Sequence, residues 1–540
     1  MTLATILPPN ARADTTDASR VEERIPAQSS TTTAPDETVT STSVTAPKGF
    51  EPFVAKQFRI SGATAIHSST LTAAIAQFRG KQITDVELID IAGRLTEIYR
   101  NKGFFLSRAI VPAQTVADGV LAIQIVEGYI SDIEPVGLEL DDVLKQFSKT
   151  LRERPSRRPT FERELLLLSD RAGFGVDASQ LIPDKQDAAR FILRLKVSLK
   201  PVALRLHIDN RGSDANGPDE SFGNASWNAL FTPSDRLSAS VLVTPSDSKE
   251  LFYGELSYTT AWIGGELWSE IGTSITTTQD GTASDDQRFQ SQTERVFGRL
   301  AAPIIRTRAL SLWASVMLDS RDNTNEQPTE PTTQESLRVL RGSFSYTDDS
   351  GGAHNDVSLE LSRGLNGLGA SRSDDTLLSL SDSRPQFTKV RISASRTQPI
   401  WNPFELYVTA MGQFADGSLP SSEELSVGGA RFGRAYDYGE LSGDNAIAGG
   451  IELRVTTSVD FIGLESLQLF AFADAAEIWN LGTNPSGYSH ADLSSAGAGL
   501  RLTLSQGLVA SAEFAKPLSK IVTNKGDRDP RFFFALSLAM

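Results

Sequence analysis

The chain ends in residues 531–540, RFFFALSLAM, and this stretch carries the strongest indication of the fold. Every second position from residue 532 holds a large apolar side chain, so one face of a β-strand would be formed by Phe532, Phe534, Leu536, Leu538 and Met540. An apolar strand face at the end of a chain promotes aggregation unless lipid or another strand covers it. The pattern therefore favours the closing strand of a membrane barrel over the edge strand of a soluble sheet.

The same alternation extends through the chain from residue 202. In residues 204–209, leucine or isoleucine alternates with arginine, histidine or aspartate, and so charged a face suits a water-filled lumen better than a sandwich core. We therefore expect a mainly β protein in which residues 202–540 form a sixteen-stranded transmembrane β-barrel. Its strands are expected at 202–210, 221–231, 235–245, 251–262, 265–279, 291–308, 309–323, 336–350, 353–365, 386–400, 404–416, 446–459, 464–479, 491–505, 506–518 and 531–540.

Long and short connections alternate between these segments. This is typical of outer-membrane barrels, which have long loops at the cell surface and short turns in the periplasm. The even number of strands places Met540 on the periplasmic side. The alternation predicts that residues 366–385 and 519–530 lie at the cell surface, and that the turns 351–352 and 401–403 face the periplasm.

The composition excludes several other classes of protein. The 540 residues include 52 basic and 67 acidic side chains, which gives a net charge of −15, and no cysteine. The negative charge opposes binding to nucleic acid, and the lack of cysteine excludes disulfides and thiolate metal sites. No uninterrupted apolar stretch of about 18 residues is present, so no transmembrane helix is expected.

Catalytic chemistry finds little support in the sequence. No metalloprotease spacing, nucleophile elbow or phosphate-binding loop is present, and the four histidines are isolated: His67, His207, His354 and His490. The acidic pairs Glu423–Glu424 and Asp285–Asp286 lie in long connections and are interpreted as solubilising loop residues. We therefore predict no enzyme activity, no catalytic residues, no cofactor and no metal site.

Residues 1–52 are interpreted as a targeting remnant followed by a disordered linker. Ala11–Ala13 resembles a signal-peptidase site, but the apolar run Leu3–Leu7 is shorter than a usual signal-peptide core. Either the true start lies upstream or the match is chance. Residues 15–48 are rich in Thr, Ser and Pro and have little apolar content to bury, which is typical of a linker.

Helical and strand patterns alternate between the linker and the barrel. Residues 53–130 follow a β-α-α-β-β pattern, in which a capping box at Thr84–Glu87 opens a helix that Gly103 ends. Residues 131–201 contain a strand, a helix at 143–152, a second helix at 161–170 and paired strands. Two consecutive modules of this order resemble POTRA domains, as does the stretch Val126–Ile130 between them.

Two POTRA-like modules followed by a sixteen-stranded barrel resemble the two-partner secretion transporters, the family of haemolysin and filamentous haemagglutinin secretion proteins. The terminal strand resembles the C-terminal signal of outer-membrane barrels, with Met540 in place of the usual aromatic residue. In this family the connection between the eleventh and twelfth strands folds back into the pore. Here that connection is expected at residues 417–445.

The expected pore loop contains GGARFGRAYDYGELSGD, residues 428–444. The family's Arg-Gly-aromatic tip corresponds to Gly433–Tyr436, with Ala435 where glycine is usual, and its Phe-x-Asp-x-Gly strand motif corresponds to Phe472–Ala476. The resemblance implies that Arg434 reaches Asp474 across the lumen and fixes the loop. The alternative is a solvated arginine and an unpaired lumen carboxylate. The remaining residues of the two motifs are Phe432, Gly433, Tyr436, Asp437, Gly443, Asp444 and Phe472.

The resemblance implies a translocator in the outer membrane of a Gram-negative bacterium, with its POTRA modules in the periplasm. Its partners would be a secreted β-rich exoprotein as cargo, outer-membrane lipid and the barrel-assembly machinery, with no nucleic acid. A barrel-insertion factor of the same superfamily usually carries more POTRA modules, and a passive porin has no reason to carry any. The plug helix of some family members is doubtful here, because its only candidate, residues 14–25, is short and charged.

Overall fold

The computed structural model describes residues 17–25, 37–39, 51–116, 118–137, 141–284, 288–327, 330–380, 382–461, 463–482 and 488–540. They form two compact units. The larger unit holds residues 17–25, 201–305 and 309–540, and the smaller unit holds the described residues between 37 and 200 together with residues 306–308. The expected cleavage site at Ala11–Ala13, most of the linker and the pair Asp285–Asp286 lie outside the described residues. No helix in the described ranges is long and apolar enough to cross a membrane.

The smaller unit begins with a three-stranded α/β module. Strand β1 (Glu37–Val39) precedes this module and pairs with the sheet of the second one. In chain order the elements of the first module are β2 (Phe53–Val54), β3 (Gln57–Ser61), α1 (Ser68–Ala74), β4 (Gln82–Ile83), α2 (Asp85–Asn101), β5 (Arg108–Ile110) and β6 (Val120–Val126). Helix α2 starts at the predicted capping box, where Thr84 and Glu87 bond reciprocally, and Gly103 follows its end with a φ of +88°. Leu88, Leu95 and Tyr99 on α2 pack in one core with the sheet, whose order is β3-β6-β5.

A second α/β module follows directly. It consists of β7 (Tyr129–Val136), α3 (Asp141–Gln146), α4 (Arg158–Ser169), β8 (Phe174–Pro183) and β9 (Arg190–Leu199), and its sheet has the order β1-β8-β9-β7. The predicted helix 143–152 ends early, at Gln146. The buried Glu164 carboxylate accepts the backbone N–H groups of Lys149 and Thr150, both at 3.0 Å, so these groups are satisfied without continuing the helix. Burial raises the pKa of Glu164 above its usual range, although these two hydrogen bonds act to lower it.

The chain after residue 201 forms a barrel and a small hairpin. Its strands are β10 (Val202–Asp209), β11 (Glu220–Asn228), β12 (Asp235–Val243), β13 (Leu251–Trp262), β14 (Leu267–Gln279), β15 (Gln290–Arg306), β16 (Leu310–Gln327), β17 (Glu330–Asp348), β18 (His354–Gly364), β19 (Thr388–Trp401), β20 (Phe404–Ala415), β21 (Leu425–Val427), β22 (Leu441–Gly443), β23 (Asn445–Phe461), β24 (Leu464–Trp479), β25 (His490–Leu504), β26 (Leu508–Pro517) and β27 (Arg531–Ala539). All except β21 and β22 belong to one closed barrel. The predicted sixteen-stranded barrel is confirmed.

The C-terminal strand closes the barrel. Strand β27 pairs antiparallel with β10, from Arg205 opposite Ala539 to Asp209 opposite Ala535, so no edge is left open at this seam. Phe532 and Phe534 face outward and are 61% and 47% exposed, whereas Phe533 faces the lumen and is buried. The alternation in the sequence therefore identifies the outward and inward faces of this strand correctly.

One predicted connection is wrong. The polar residues 324–335 fall in the long connection between the expected strands 309–323 and 336–350, but β16 and β17 continue there as a paired ribbon, with Asn325 opposite Thr333 and Gln327 opposite Glu330. A two-stranded ribbon in water needs no apolar face, since cross-strand pairs of polar side chains and backbone hydrogen bonds suffice to extend an existing hairpin. Polarity alone therefore did not mark the end of these strands.

Candidate functional site in the barrel lumen

The connection between β20 and β23, residues 416–444, folds into the barrel and is called the pore loop below. It contains a short 3-10 turn at Ser421–Glu423 and the hairpin of β21 and β22, in which Leu425 lies opposite Gly443. Its tip, residues 428–440, packs on the inner wall, with buried Phe432 and Tyr436 in one apolar cluster with Phe470 and Phe472 of β24. The loop is thus attached to the wall by apolar contacts as well as by polar ones.

The turn at the tip depends on Gly433 rather than on Ala435. Gly433 has a φ of +72°, in the left-handed region, and a Cβ there would lie 2.6 Å from Leu493 Cδ1. Ala435 is completely buried. The alanine that departs from the usual family pattern therefore occupies a position where a small side chain is accepted.

Arg434 is held between two carboxylates, but they are not the predicted one. Its guanidinium pairs with Glu452 at 2.6 Å and with Glu513, and its Cζ lies 3.7 Å from the centre of the Phe472 ring. The expected ion pair with Asp474 is wrong, because inward-facing carboxylates on β23 and β26 take the guanidinium instead. The sequence offered one clue, since Glu452 follows an outward-facing isoleucine and so belongs to the inner face.

Asp474 does contact the tip, through the backbone. One carboxylate oxygen accepts the N–H of Gly433 at 2.8 Å and the hydroxyl of Ser495 at 2.8 Å, and the other accepts the N–H of Arg434 at 3.4 Å. Asp474 therefore caps the turn, whereas Arg434 carries the ion pairs. The two motif residues thus hold the turn at Gly433 and Arg434 by different interactions.

Further arginines surround the two carboxylates that bind Arg434. Glu452 also pairs with Arg454 and Arg501, each at 2.7 Å, and Glu513 pairs with Arg211 at 2.8 Å. Arg211 in turn donates to the Arg434 carbonyl at 3.2 Å. The site is therefore a network of ion pairs in which each carboxylate keeps a partner when one arginine is removed.

Residues 436–440 attach the tip to the connection between β26 and β27 and to the first residue of β27. The Tyr436 hydroxyl donates to the Lys520 carbonyl at 3.0 Å, and Asp437 pairs with Arg531 at 2.6 Å. Glu440 accepts the N–H of Thr523 at 2.9 Å and pairs with Lys520 at 3.0 Å. The predicted residues Tyr436 and Asp437 thus hold the part of the tip that leads back to β22.

The base of the loop is held by the other predicted residues. Asp444 accepts the N–H groups of Leu419 at 2.5 Å and of Leu481 at 2.6 Å. At Gly443, a Cβ would lie 2.4 Å from Ile478 Cγ2, so only glycine fits against β24 there.

Glu423 and Glu424 are not solubilising loop residues, contrary to the sequence interpretation. Glu423 is 2% exposed and pairs with Arg341 at 2.5 Å and Lys389 at 2.7 Å. Glu424 is 6% exposed and pairs with Arg20. Their partners lie on strands distant in sequence and in the N-terminal segment, so the adjacent acids alone could not reveal the pairing.

A short 3-10 helix, Ala18–Arg24, lies in the same lumen and is called the luminal helix. Arg20 pairs with Glu424 at 2.8 Å and donates to the Ser421 carbonyl at 3.1 Å, which joins the helix to the pore loop. Glu22 pairs with Arg295 and Arg321 on the wall, each at 3.1 Å, and Arg24 pairs with Glu220 at 2.9 Å. The doubt about a plug helix, and the assignment of all residues up to 52 to a remnant and linker, are corrected here. This short segment can be buried despite its charges because the wall supplies opposite charges.

A cavity of about 940 Å³ remains in the lumen beside the tip. Its lining includes Arg391, Arg431 and Tyr407 together with Arg434 and Asp474. The tip therefore lies at the side of a water-accessible space whose walls carry many charges. Movement of the tip would change the width of this space directly.

These features define an outer-membrane β-barrel of the transporter class, with POTRA structure at its N-terminal side. The family model "Haemolysin secretion/activation protein ShlB/FhaC/HecB" matches residues 192–502, and the model "POTRA domain, ShlB-type" matches residues 53–128. The chain therefore belongs to the haemolysin secretion/activation family, whose members are outer-membrane transporters with periplasmic POTRA domains.

Individual relatives agree with this assignment. The heme/hemopexin transporter protein HuxB of Haemophilus influenzae strain 86-028NP is 22% identical over 68% of this chain and 66% of its own length, just under two thirds. The outer membrane transporter CdiB of Dickeya dadantii strain 3937 is 21% identical over 73% of this chain and 70% of its own length. The solved structure of CdiB from Escherichia coli has a TM-score of 0.73 at 20% identity and covers all of both chains, so the fold is shared.

Proposed function

We propose that this chain recognises a β-rich exoprotein in the periplasm and secretes it through its barrel. The observation that carries this proposal is the pore loop, because a loop held inside a barrel by an apolar cluster, backbone caps and ion pairs is a noncovalent obstruction whose displacement would widen the lumen. A passive porin would gain nothing from such an obstruction or from soluble modules. A barrel-insertion factor of the same superfamily is the second candidate, and the match of residues 192–502 to the haemolysin secretion/activation model favours secretion over it.

Cargo capture is assigned to the two modules, with residues 53–130 as the first and residues 131–201 as the second. Strands β3 and β5 lie at the edges of the first sheet, and β7 lies at an edge of the second. A sheet edge can bind an extended polypeptide by adding it as a further strand, which gives affinity through the backbone with little dependence on sequence. Such capture suits an exoprotein that reaches the periplasm unfolded.

Arg434 and Asp474 are proposed to hold the resting position of the loop. Asp474 fixes the turn through backbone N–H groups, and Arg434 joins the tip to two strands of the wall. Phe432, Gly433, Tyr436, Asp437, Gly443, Asp444 and Phe472 support this position by the contacts described above. Passage of cargo then requires these contacts to break and to form again.

The transport role is proposed to need no catalytic residue or cofactor of the chain's own. The outward rows of apolar side chains, such as Leu204 and Leu206, fit contact with outer-membrane lipid. The apolar face formed by Phe532, Phe534, Leu536, Leu538 and Met540 is proposed to be read by the barrel-assembly machinery during insertion. These two partners complete the set expected from the sequence.

The test is secretion of a candidate exoprotein co-expressed with the chain in a Gram-negative host. Deletion of residues 53–128, which leaves β7 intact, should abolish its appearance in the medium while the barrel still inserts, since the first module has a core of its own. Heat-modifiable gel migration reports the folded barrel. Continued secretion by the deletion variant would contradict the proposed capture, and loss of the folded barrel would show that the module serves assembly instead.

A further inference from the structure

The smaller unit carries a concentrated basic segment in an acidic protein. Residues 149–158 include five basic side chains and one acidic one, whereas the chain has a net charge of −15. Residues 152–158 are called the joint loop, because they belong to the second module and also bond to the first. Its arginines Arg152, Arg154 and Arg157 are exposed. A basic cluster of this kind attracts an acidic partner if its charges are held in place.

Backbone hydrogen bonds from both modules hold the joint loop. The N–H of Arg158 donates to the Gly103 carbonyl at 2.8 Å in the first module. The N–H of Ser156 donates to the Gly128 carbonyl at 3.1 Å, and the Ser156 hydroxyl accepts the N–H of Ile130 at 3.0 Å. The loop therefore has one defined position relative to the start of β7.

Aromatic rings orient the arginines of this loop. The Arg154 guanidinium lies 3.7 Å from the centre of the Tyr129 ring, and that of Arg157 lies 5.7 Å from the centre of the Phe104 ring. Arg154 Nη1 also donates to the carbonyls of Ile130, Leu151 and Glu153, so the Arg154 side chain is fixed in place and contributes positive charge to the surface. The exposed Arg157 guanidinium keeps the forked geometry that suits a carboxylate. The exposed Arg100 and Lys102 at the end of α2, next to Gly103, extend the same surface.

This basic surface lies beside two sheet edges. Edge strand β7 begins at Tyr129, under Arg154, and edge strand β5 begins at Arg108, four residues after Phe104. We propose that the joint loop and the end of α2 bind an acidic segment of the exported polypeptide that flanks the captured strand. The inference rests on the proposed capture of cargo by the modules, and it adds that the captured segment carries acidic residues. Carboxylates beside a strand-forming stretch would distinguish cargo from neutral unfolded chains.

The test uses the full-length protein in detergent and two fluorescent peptides of one strand-forming sequence. One peptide has four flanking glutamates, and the other has glutamines at those positions. We expect the acidic peptide to bind about tenfold more tightly at low salt, because several exposed ion pairs of up to about 1 kcal/mol each act together. The difference should disappear at high salt, since screening weakens exposed pairs.

A charge-reversed variant places the effect on this surface. Lys102→Glu with Arg157→Glu should remove the preference for the acidic peptide. Arg79→Glu with Lys81→Glu makes the same change of charge before the opposite end of α2 and should keep the preference. Fluorescence anisotropy gives the dissociation constants of all four combinations of variant and peptide.

Each other outcome overturns the inference in a recognisable way. Equal binding of both peptides to the unaltered protein would reject the acidic preference while leaving strand capture intact, whereas binding of neither would count against capture as well. Loss of preference in both variants would reject this surface as its source. If Lys102→Glu with Arg157→Glu changes only the binding of soluble short-chain phosphatidylglycerol, the surface binds lipid and not cargo.

Discussion

The tip of the pore loop and the luminal helix share one lumen but are attached in different ways. The tip combines an apolar cluster around Phe432 and Tyr436 with the Asp474 cap and the Arg434 ion pairs. The luminal helix buries two smaller apolar side chains, Ala18 and Val21, with Val21 in a small cluster on the wall, and is otherwise held by ion pairs and polar hydrogen bonds. Apolar contacts resist salt, whereas ion pairs near water are weakened by it.

This difference indicates which of the two elements leaves the lumen more easily. Removing the tip exposes aromatic surface to water and breaks backbone caps, so its cost has several independent contributions. Removing the helix mainly exchanges ion pairs for hydrated charges, and the desolvation already spent on burying those charges is recovered. We therefore expect the helix to be the mobile obstruction and the tip to be the persistent one. The following substitutions test that ranking, from the largest expected effect to the smallest.

Gly433→Val should have the largest effect on the tip. Valine in the left-handed region costs about 1–3 kcal/mol in backbone strain, and its side chain would collide with Leu493 as well. Limited proteolysis at residues 428–440 should therefore become much faster. Gly449→Ala is the control, because a Cβ there meets only the Thr409 carbonyl oxygen at 3.7 Å. A protected tip in Gly433→Val would mean that this turn does not set the position of the loop.

Arg434→Ala should loosen the tip less severely. Removing one partner of a buried ion pair typically costs about 3–5 kcal/mol, but Glu452 and Glu513 keep Arg501 and Arg211, so we expect less than that range. Arg434→Lys should restore little, since one ammonium group cannot serve two strands as a fork does. Proteolysis of residues 428–440 should become faster and secretion of the exoprotein should fall, in the alanine variant more than in the lysine variant. Full function of the lysine variant would show that charge alone is enough.

Asp474 should tolerate asparagine better than alanine. Asn keeps an oxygen that can accept the Gly433 N–H, whereas Ala leaves that group and Ser495 without their acceptor at about 1–3 kcal/mol. An ion-pair role would predict equal damage from both changes, because both remove the charge. The measurement is protection of the tip from proteolysis in the two variants. Equal loss in Asp474→Asn and Asp474→Ala would contradict the backbone cap.

Arg20→Ala should release the luminal helix and leave the tip in place. It removes the contacts to Glu424 and to the Ser421 carbonyl, which are the links from Arg20 to the pore loop. Channel conductance in planar bilayers should rise, while proteolysis of residues 428–440 should stay slow. Glu23→Gln is the control, since Glu23 is 40% exposed and its pair with Arg391 spans 3.8 Å. An exposed tip in Arg20→Ala would show that the two elements move as one.

Much of the barrel could be predicted because lipid and water impose a strict alternation on each strand. The position of the pore loop followed from its length and its motif. The partners of Arg434 could not be predicted from the sequence. Its contact with Glu452 and Glu513 depends on how the pore loop folds into the lumen and on the register of the barrel strands that carry the two carboxylates. The luminal helix was missed for a related reason. Its sequence resembles a polar linker, and its burial depends on wall charges such as Arg295 and Arg321 that are distant in sequence.

The most direct test of the difference between tip and helix is a pair of spin-label distances measured at two salt concentrations. The chain has no cysteine, so Glu23→Cys on the helix and Ala430→Cys on the tip can each be paired with Ser505→Cys in the turn between β25 and β26. Between 0.1 M and 1 M salt the Debye length falls from about 10 Å to about 3 Å. We predict that the distance from residue 23 to residue 505 becomes broadly distributed at 1 M salt, while the distance from residue 430 to residue 505 stays narrow. A tip distance that broadens together with the helix distance, or a helix distance that ignores salt, would contradict the separate attachment of these two elements.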